Sequence, residues 1–138
     1  MALTKKSARQ APIVATCDFT YADLTSGAYA GMVDLPAGAI VTGGYVAVTT
    51  LFNSATTDKF SIGDKVGSAA ATAATYAAQS ADVTATGQAA AITPTGAKYT
   101  GAATVGVVWT GAGTAPDAGA GRLVVEYIVD GRAAFSQG

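Results

Sequence analysis

The residues of this sequence that could support chemistry are few and scattered. The chain has no histidine, its single glutamate is Glu126 and its single cysteine is Cys17. A histidine base, a histidine-containing triad and a histidine-containing metal site are therefore excluded. One cysteine cannot form an intrachain disulfide or a multi-cysteine metal cluster. Serine and threonine hydroxyls are plentiful, but none has a recognisable base to activate it, so the sequence predicts that the protein is not an enzyme.

Two further patterns imitate ligand-binding motifs without their spacing. Asp58, Asp64 and Asp82 could suggest a calcium site, but the regular acidic spacing of a calcium-binding loop is missing. We interpret these three residues as turn formers. The glycines of the range 111–121 resemble a phosphate-binding loop, yet neither Gly-Lys-Ser/Thr nor a helix pattern follows them. The sequence thus predicts no metal and no cofactor.

Basic residues cluster near the start of the chain. Lys5, Lys6 and Arg9 all precede the first acidic residue, Asp18. A nucleic-acid site needs more charge and interleaved aromatic residues, so no nucleic-acid partner is expected. We interpret residues 1–12 as a flexible arm whose charges either contact an acidic neighbouring subunit or are simply solvated. No apolar run approaches the roughly 20 residues that cross a bilayer, and no secretory signal is recognisable, so we expect no membrane partner and accumulation in a cytoplasm.

The composition predicts one small domain with a thin core. A chain of 138 residues has the usual length of a single domain. Alanine, threonine and glycine make up about half of it, whereas leucine, isoleucine, valine and phenylalanine make up just under a fifth. The net charge of −1 is too small for the composition of a disordered chain, so we expect folding. A core of such small side chains would gain stability from partner subunits.

Alternating apolar and polar residues predict several β-strands. One runs from Ile13 to Tyr21, and two clear strands cover 105–110 and 122–129. The longest extended run is 39–52, in which the pair Gly43-Gly44 predicts a bulge or bend. Several short strands separated by turn signals indicate an all-β, antiparallel two-sheet sandwich.

The remaining segments carry weaker patterns. Residues 35–38 suit a type I turn with proline second and glycine fourth. Phe60 and Ile62 predict a short strand that ends at Gly63-Asp64. Half of the range 68–91 is alanine, which favours helices, but interrupting threonine and glycine residues lead us to predict loop and strand there.

The strand over 122–129 is apolar on both faces. Val124 and Ile128 lie opposite Leu123, Val125, Tyr127 and Val129. Such a strand either is central and covered or meets a partner, and we favour the partner. We therefore predict a homodimer or homotrimer in which Val124 and Ile128 contribute to an interface with a partner subunit.

Three stretches carry a resemblance to a known family. They are DLPAGAIVTGGYVAVTTLFNSATTDKFSIGD (34–64), TPTGAKYT (93–100) and RLVVEYIVDGR (122–132). The sequence resembles the jelly-roll cement, or decoration, proteins on the outside of tailed-bacteriophage capsids, such as that of a Bordetella phage. The similar region covers most of the chain, whereas the alanine-rich stretch and both ends carry no matching motif.

The resemblance implies a jelly roll over 13–131 and a major capsid protein as partner. It also implies a protein made in the host bacterial cytoplasm that staples capsid subunits on the exterior of the virion. Residues 132–138 would form a C-terminal tail whose apolar anchor is Phe135. The alternative is a host-surface, glycan-binding module of a phage fibre or tail, because a fold does not fix a function. A glycan site usually gathers aromatic and amide side chains on loops, but this chain has one asparagine, Asn53.

Overall fold

The computed structural model describes residues 11–130 as eight strands and one short 3-10 helix. The strands are β1 (Ile13–Thr20), β2 (Tyr29–Leu35), β3 (Ala39–Thr50), β4 (Thr57–Val66), β5 (Thr72–Ala77), β6 (Gly87–Ala91), β7 (Ala103–Ala112) and β8 (Ala120–Val129). The 3-10 helix covers Tyr21–Asp23, where the Thr20 N–H donates to Asp23 Oδ2 at 2.8 Å. Tyr21 therefore belongs to a capped turn and not to the buried face of β1, which corrects the prediction for this residue.

The strands form two four-stranded antiparallel sheets that pack face to face. The first sheet has the order β1-β8-β3-β6, and the second has the order β2-β7-β4-β5. Consecutive strands repeatedly change sheet, as in an eight-stranded jelly roll. The predicted all-β, two-sheet sandwich of jelly-roll type is confirmed.

The core lies between the sheets and consists mainly of valine with a few aromatic rings. Alternation along β7 and β8 buries Val105, Val107, Leu123 and Val125 completely, as the sequence pattern predicts. The larger side chains concentrate at one end of the sandwich. There Phe52 contacts Phe60 edge-on at 5.3 Å and packs against Trp109 at 5.5 Å between ring centroids.

The turn between β2 and β3 differs by one residue from its prediction. The Ala39 N–H donates to Pro36 O at 3.2 Å, so the turn covers 36–39 and not 35–38. Gly38 is third in it and has φ +88°, the left-handed conformation that the third position of a type II turn requires. The predicted bulge in β3 is confirmed, because the register with β8 shifts between Val41 and Gly43.

Strand β4 is longer than its sequence predicts. It runs through Gly63 and Asp64 to Val66, so the pair Gly63-Asp64 does not end it. Two of the three aspartates predicted as turn formers, Asp58 and Asp64, therefore lie within a strand. In the alanine-rich range 68–91 the structure has β5, β6 and connecting loop, in agreement with the prediction of loop and strand.

The chain enters and leaves the first sheet at one end. Ile13 at the start of β1 pairs with Tyr127 near the end of β8. The Asp130 N–H then donates to Gly38 O at 2.8 Å, which places the last described residue beside the β2–β3 turn. The segments outside the described range thus connect to the domain at neighbouring positions.

Candidate interaction surface

The outer face of the first sheet carries exposed apolar side chains on three adjacent strands. We call it the Val124 face, and it consists of Val14, Thr16, Ile40, Thr42, Tyr45, Val124, Glu126 and Ile128. Strand register brings these residues side by side, because Val124 pairs with Thr16 on β1 and with Tyr45 on β3. Ile128 pairs with Ile40 in the same way. Val14 exposes 57% of its surface and Tyr45 exposes 39%, so the face offers apolar area to a partner.

Polar contacts border the Val124 face. Arg122 Nε donates to Asp18 Oδ1 at 2.6 Å, and Thr42 Oγ1 donates to Glu126 Oε1 at 2.9 Å. The hydrogen bond from Arg122 holds the pKa of the Asp18 carboxyl below its usual range, while the same contact raises the pKa of Arg122. Both side chains are exposed, so the pair fixes the orientation of two charges and contributes little to folding.

The outer face of the second sheet has a different construction. Gly31, Gly106 and Gly63 lie side by side on β2, β7 and β4, and we call them the glycine row. A Cβ added at Gly106 would lie 2.0 Å from Ala30 O, and one added at Gly63 would lie 1.9 Å from Thr72 O. The backbone of adjacent strands thus leaves no room for a side chain at Gly106 or Gly63, whereas a Cβ at Gly31 would first meet Thr104 Oγ1, at 3.3 Å.

Polar side chains also attach the edge strand β5 to the second sheet. Ser61 Oγ donates to Ala73 O at 2.7 Å. Asp64 accepts hydrogen bonds from the Thr75 hydroxyl and, at 2.6 Å, from the Tyr99 hydroxyl, which also bonds the Tyr76 hydroxyl at 2.6 Å. We call Asp64, Thr75, Tyr76 and Tyr99 the tyrosine cluster. Burial is the main cause that raises the pKa of both tyrosines, and hydrogen bonding to Asp64 raises the pKa of Tyr99 further.

The other aspartates of the sequence-predicted set are also hydrogen-bonded inside the protein. Asp58 is buried, accepts from Trp109 Nε1 at 3.0 Å and accepts from the Ser54 N–H at 3.2 Å. Asp82 Oδ1 accepts from the Asp58 N–H at 2.8 Å. Within 11–130, no three residues of the types that ligate metals lie close enough to hold an ion. These carboxylates therefore act as acceptors for strand and indole N–H groups.

A pocket opens at the end of the sandwich where β7 passes into the loop before β8. It encloses about 390 Å³, within the range of roughly 300–1,000 Å³ that small-ligand sites occupy. Its apolar walls are Tyr21, Leu24, Trp109 and Pro116. Ser54 also lines it, and its hydroxyl oxygen is buried with no hydrogen-bond partner. An unpaired buried hydroxyl is rare in folded proteins.

The structure places the sequence-predicted interface residues as follows. Val124 and Ile128 lie together on the Val124 face, half-buried between β1 and β3. Lys5, Lys6, Arg9 and Phe135 lie outside the described residues.

Sequence reasoning missed three apolar members of the Val124 face. These are Val14, Ile40 and Tyr45, whose strand parity was visible but whose position beside Val124 depends on strand order. Trp109 is buried in the core, and its indole N–H donates to Asp58.

Cys17 is half-buried on the inner side of β1. Its Sγ donates to Asp18 O at 3.7 Å, and burial raises the thiol pKa, with Asp18 and Asp23 adding to the shift. A thiol with a raised pKa forms little reactive thiolate at neutral pH, which agrees with an inert structural role. Among the described residues there is also no helix with the length and apolarity that a membrane crossing needs.

Comparison with solved structures supports the fold. The structure matches a chain of the acidic stable capsid structure of Helicobacter pylori bacteriophage KHP30, with a TM-score of 0.66 and 18% sequence identity. The match covers 91% of this chain and 92% of that chain. A chain of the cyanophage Pam1 capsid asymmetric unit matches with a TM-score of 0.59 and 20% identity, covering 94% of this chain and 92% of that one. No protein-family model and no curated protein sequence matches this chain. At these identities the likeness establishes the shared sandwich fold.

Proposed function

We propose that this chain is a non-enzymatic virion structural protein of a bacteriophage. In this proposal it binds the outer surface of the capsid and staples major capsid subunits together. The observation that carries the proposal is the fold match over more than nine-tenths of two chains from phage capsid structures. The uncovered apolar Val124 face adds a surface suited to protein contact, because burying exposed valine and tyrosine side chains favours association.

Stapling would stabilise the shell through mass action. A protein that binds only assembled subunits lowers the free energy of the assembled state and leaves the free subunits unaffected. Each contact need not be strong, since repeated binding across an icosahedral lattice multiplies modest affinities. The Val124 face fits such a contact because Val14 and Tyr45 expose apolar area beside Val124. Its one charged member, Glu126, accepts a hydrogen bond from Thr42, and the adjacent charges of Asp18 and Arg122 pair with each other.

Charge distribution supports a role for the basic arm. Residues 11–130 hold all nine acidic residues and four of the eight basic ones, a formal charge of −5. The range 1–10 adds Lys5, Lys6 and Arg9 without any acidic residue. In our proposal this arm contacts the acidic body of a neighbouring subunit, and the contact weakens as salt rises. Removing residues 1–10 should then lower occupancy on shells at physiological salt without unfolding the sandwich.

The decisive experiment measures binding to empty shells assembled from the major capsid protein encoded in the same genome. We expect the intact protein to bind in near-stoichiometric amounts and to raise the temperature at which the shells break open. Val124→Asp should reduce occupancy at least about tenfold, because it places a charge in the centre of the apolar face. Val66→Asp is the control for an added charge, since Val66 is 40% exposed and lies outside this face. Far-UV circular dichroism of both variants checks that folding is retained, because Val124 is half-buried.

Two results would overturn the proposal. One is the absence of binding to these shells under any salt condition. The other is equal loss of binding by Val124→Asp and Val66→Asp, which would remove the Val124 face from the contact. Specific binding of the intact protein to a host glycan, together with no binding to shells, would favour the alternative of a fibre or tail module.

A further inference from the structure

The pocket at the β7–β8 end of the sandwich has the chemistry of a site for one large apolar side chain. Tyr21, Leu24, Trp109 and Pro116 line it from two separate segments of chain and one strand. Of these residues, Tyr21 is 36% exposed, so its ring is accessible to an incoming side chain.

The segment after β8 supplies a matching occupant. Residues 131–138 contain one large apolar residue, Phe135, among small and polar neighbours. Arg132 is the charged residue of that segment, and the two carboxylates next to the pocket in sequence, Asp23 and Asp117, have the opposite sign. More broadly, the flanks 1–10 and 131–138 together carry +4 against the −5 of the described body.

The distance between the pocket and Asp130 shows whether residues 131–138 can reach the pocket of their own copy. The pocket lies at the Ala120 end of β8, where the Tyr21 N–H donates to Gly119 O. The chain leaves the sandwich at Asp130, at the other end of this ten-residue strand, which spans about 30 Å. Phe135 follows Asp130 by five residues, so an extended chain carries it at most about 17 Å away. Phe135 therefore cannot reach the pocket of its own copy.

We propose that residues 131–138 of one copy bind the pocket of a second copy, with Phe135 inserted among Tyr21, Leu24, Trp109 and Pro116. The donor contributes its tail and the acceptor contributes its opposite end, so the contact is heterologous. Repetition of such a contact closes into a ring when the rotation per copy permits it and otherwise extends as a chain. This association requires no capsid protein, so its test is independent of the proposed stapling function.

Complementation between two full-length variants tests the proposal. Phe135→Ala removes the anchor and Tyr21→Ala removes one pocket wall, so neither variant should associate with itself. The Phe135→Ala variant retains an intact pocket, and the Tyr21→Ala variant retains an intact tail. Mixing them should therefore restore one contact per pair and give dimers, but no larger species, in sedimentation velocity. Leu51→Ala is the control, because Leu51 is an exposed apolar residue near this end of the sandwich that does not line the pocket.

A peptide measurement gives a second readout that does not depend on oligomer size. Trp109 is the single tryptophan and lines the pocket, so its fluorescence reports occupancy. The peptide GRAAFSQG should change this fluorescence when added to the Phe135→Ala protein. The same peptide with alanine at the phenylalanine position should bind at least about tenfold more weakly.

Several outcomes would overturn the proposal. These are a monomeric wild-type protein at micromolar concentration, self-association by Phe135→Ala equal to that of the wild type, or no dimers in the mixture of variants. Equal loss of association by Leu51→Ala and Tyr21→Ala would likewise show that the pocket is not the acceptor. Far-UV circular dichroism of each variant confirms that folding is retained before association is interpreted.

Discussion

The two sheets of this sandwich present opposite kinds of outer surface. On the second sheet, adjacent strand backbone leaves no room for a Cβ at Gly63 or Gly106, and the Ser61 hydroxyl fastens the edge strand β5. On the first sheet, Val14 and Tyr45 expose large fractions of their surface beside the half-buried Val124. Among the described residues, the outer face of the second sheet is therefore filled more completely than that of the first. This difference is why we propose the first sheet as the side that meets a partner.

The largest expected effect concerns the glycine row. Gly106→Ala places a Cβ 2.0 Å from Ala30 O, so β2 and β7 must separate. We expect the free energy of unfolding to fall by about 3 kcal/mol or more, at the upper end of the usual cost of overpacking. Gly43→Ala in the first sheet is the control, because a Cβ there meets nothing within 4 Å and the expected change is below about 0.5 kcal/mol. Equal changes in urea unfolding would refute this contrast between the sheets.

Two outward-facing valines give the next comparison. Val108 on the second sheet is 7% exposed, whereas Val14 on the first is 57% exposed. Val108→Ser should cost about 2 kcal/mol, the usual value for losing a buried valine, and Val14→Ser less than about 0.5 kcal/mol. Thermal unfolding of both variants measures the difference. A loss from Val14→Ser as large as that from Val108→Ser would mean that the Val124 face is already covered.

The tyrosine cluster predicts a smaller effect that depends on pH. Tyr99→Phe removes the donor to Asp64 and a partner of Tyr76, at a cost of about 1.5 kcal/mol at neutral pH. Because burial raises the pKa of Tyr99 and Tyr76 in the folded state, their stabilisation is complete below the unfolded tyrosine pKa of about 10 and is lost as pH rises above it.

Urea unfolding between neutral and strongly alkaline pH tests this dependence. The wild-type protein should lose stability above pH about 10 more steeply than Tyr99→Phe, because the variant has lost one tyrosine whose pKa is raised by folding. Parallel curves for the two proteins would contradict the assigned role of Tyr99.

The smallest expected effect belongs to the exposed ion pair of the first sheet. Arg122→Gln should leave the unfolding transition nearly unchanged, since both charges remain in contact with water. It should raise the pKa of Asp18 toward its ordinary value, because the hydrogen bond that lowers it is lost. An NMR titration of the Asp18 carboxyl measures this directly. In the wild type, whatever stability the depressed pKa provides is present above about pH 4 and disappears as pH falls.

Much of the fold follows from the local pattern of apolar and polar residues. The strand boundaries that this pattern predicted wrongly have a physical cause. Strict alternation identified β1, β7 and β8, since one face of each contributes to the core. The end of β4 was missed because Gly63-Asp64 reads as a turn. In the structure Gly63 accommodates the Thr72 carbonyl, and Asp64 is satisfied by hydroxyl groups distant in sequence. Long-range contacts of this kind are invisible to a local pattern.

The site was less predictable than the fold. Val124 and Ile128 could be chosen because one strand was apolar on both faces. Their neighbours on β1 and β3 depend on the order of strands in the sheet, which neither periodicity nor the family resemblance supplied and which the structure provides. The pocket around Trp109 assembles residues more than eighty positions apart, so no window of sequence contains its signal.

The adjacency of Ile13 and Tyr127 has a practical consequence for engineering. Because the first and last strands lie side by side, a linker of about six residues would join them in a circularly permuted chain, with new ends opened in the exposed 67–71 turn. Such a permutant would keep every strand pairing while moving both ends to the edge of the second sheet. A peptide fused there would be attached to strands of the second sheet, so the strands that carry the Val124 face would bear no fusion.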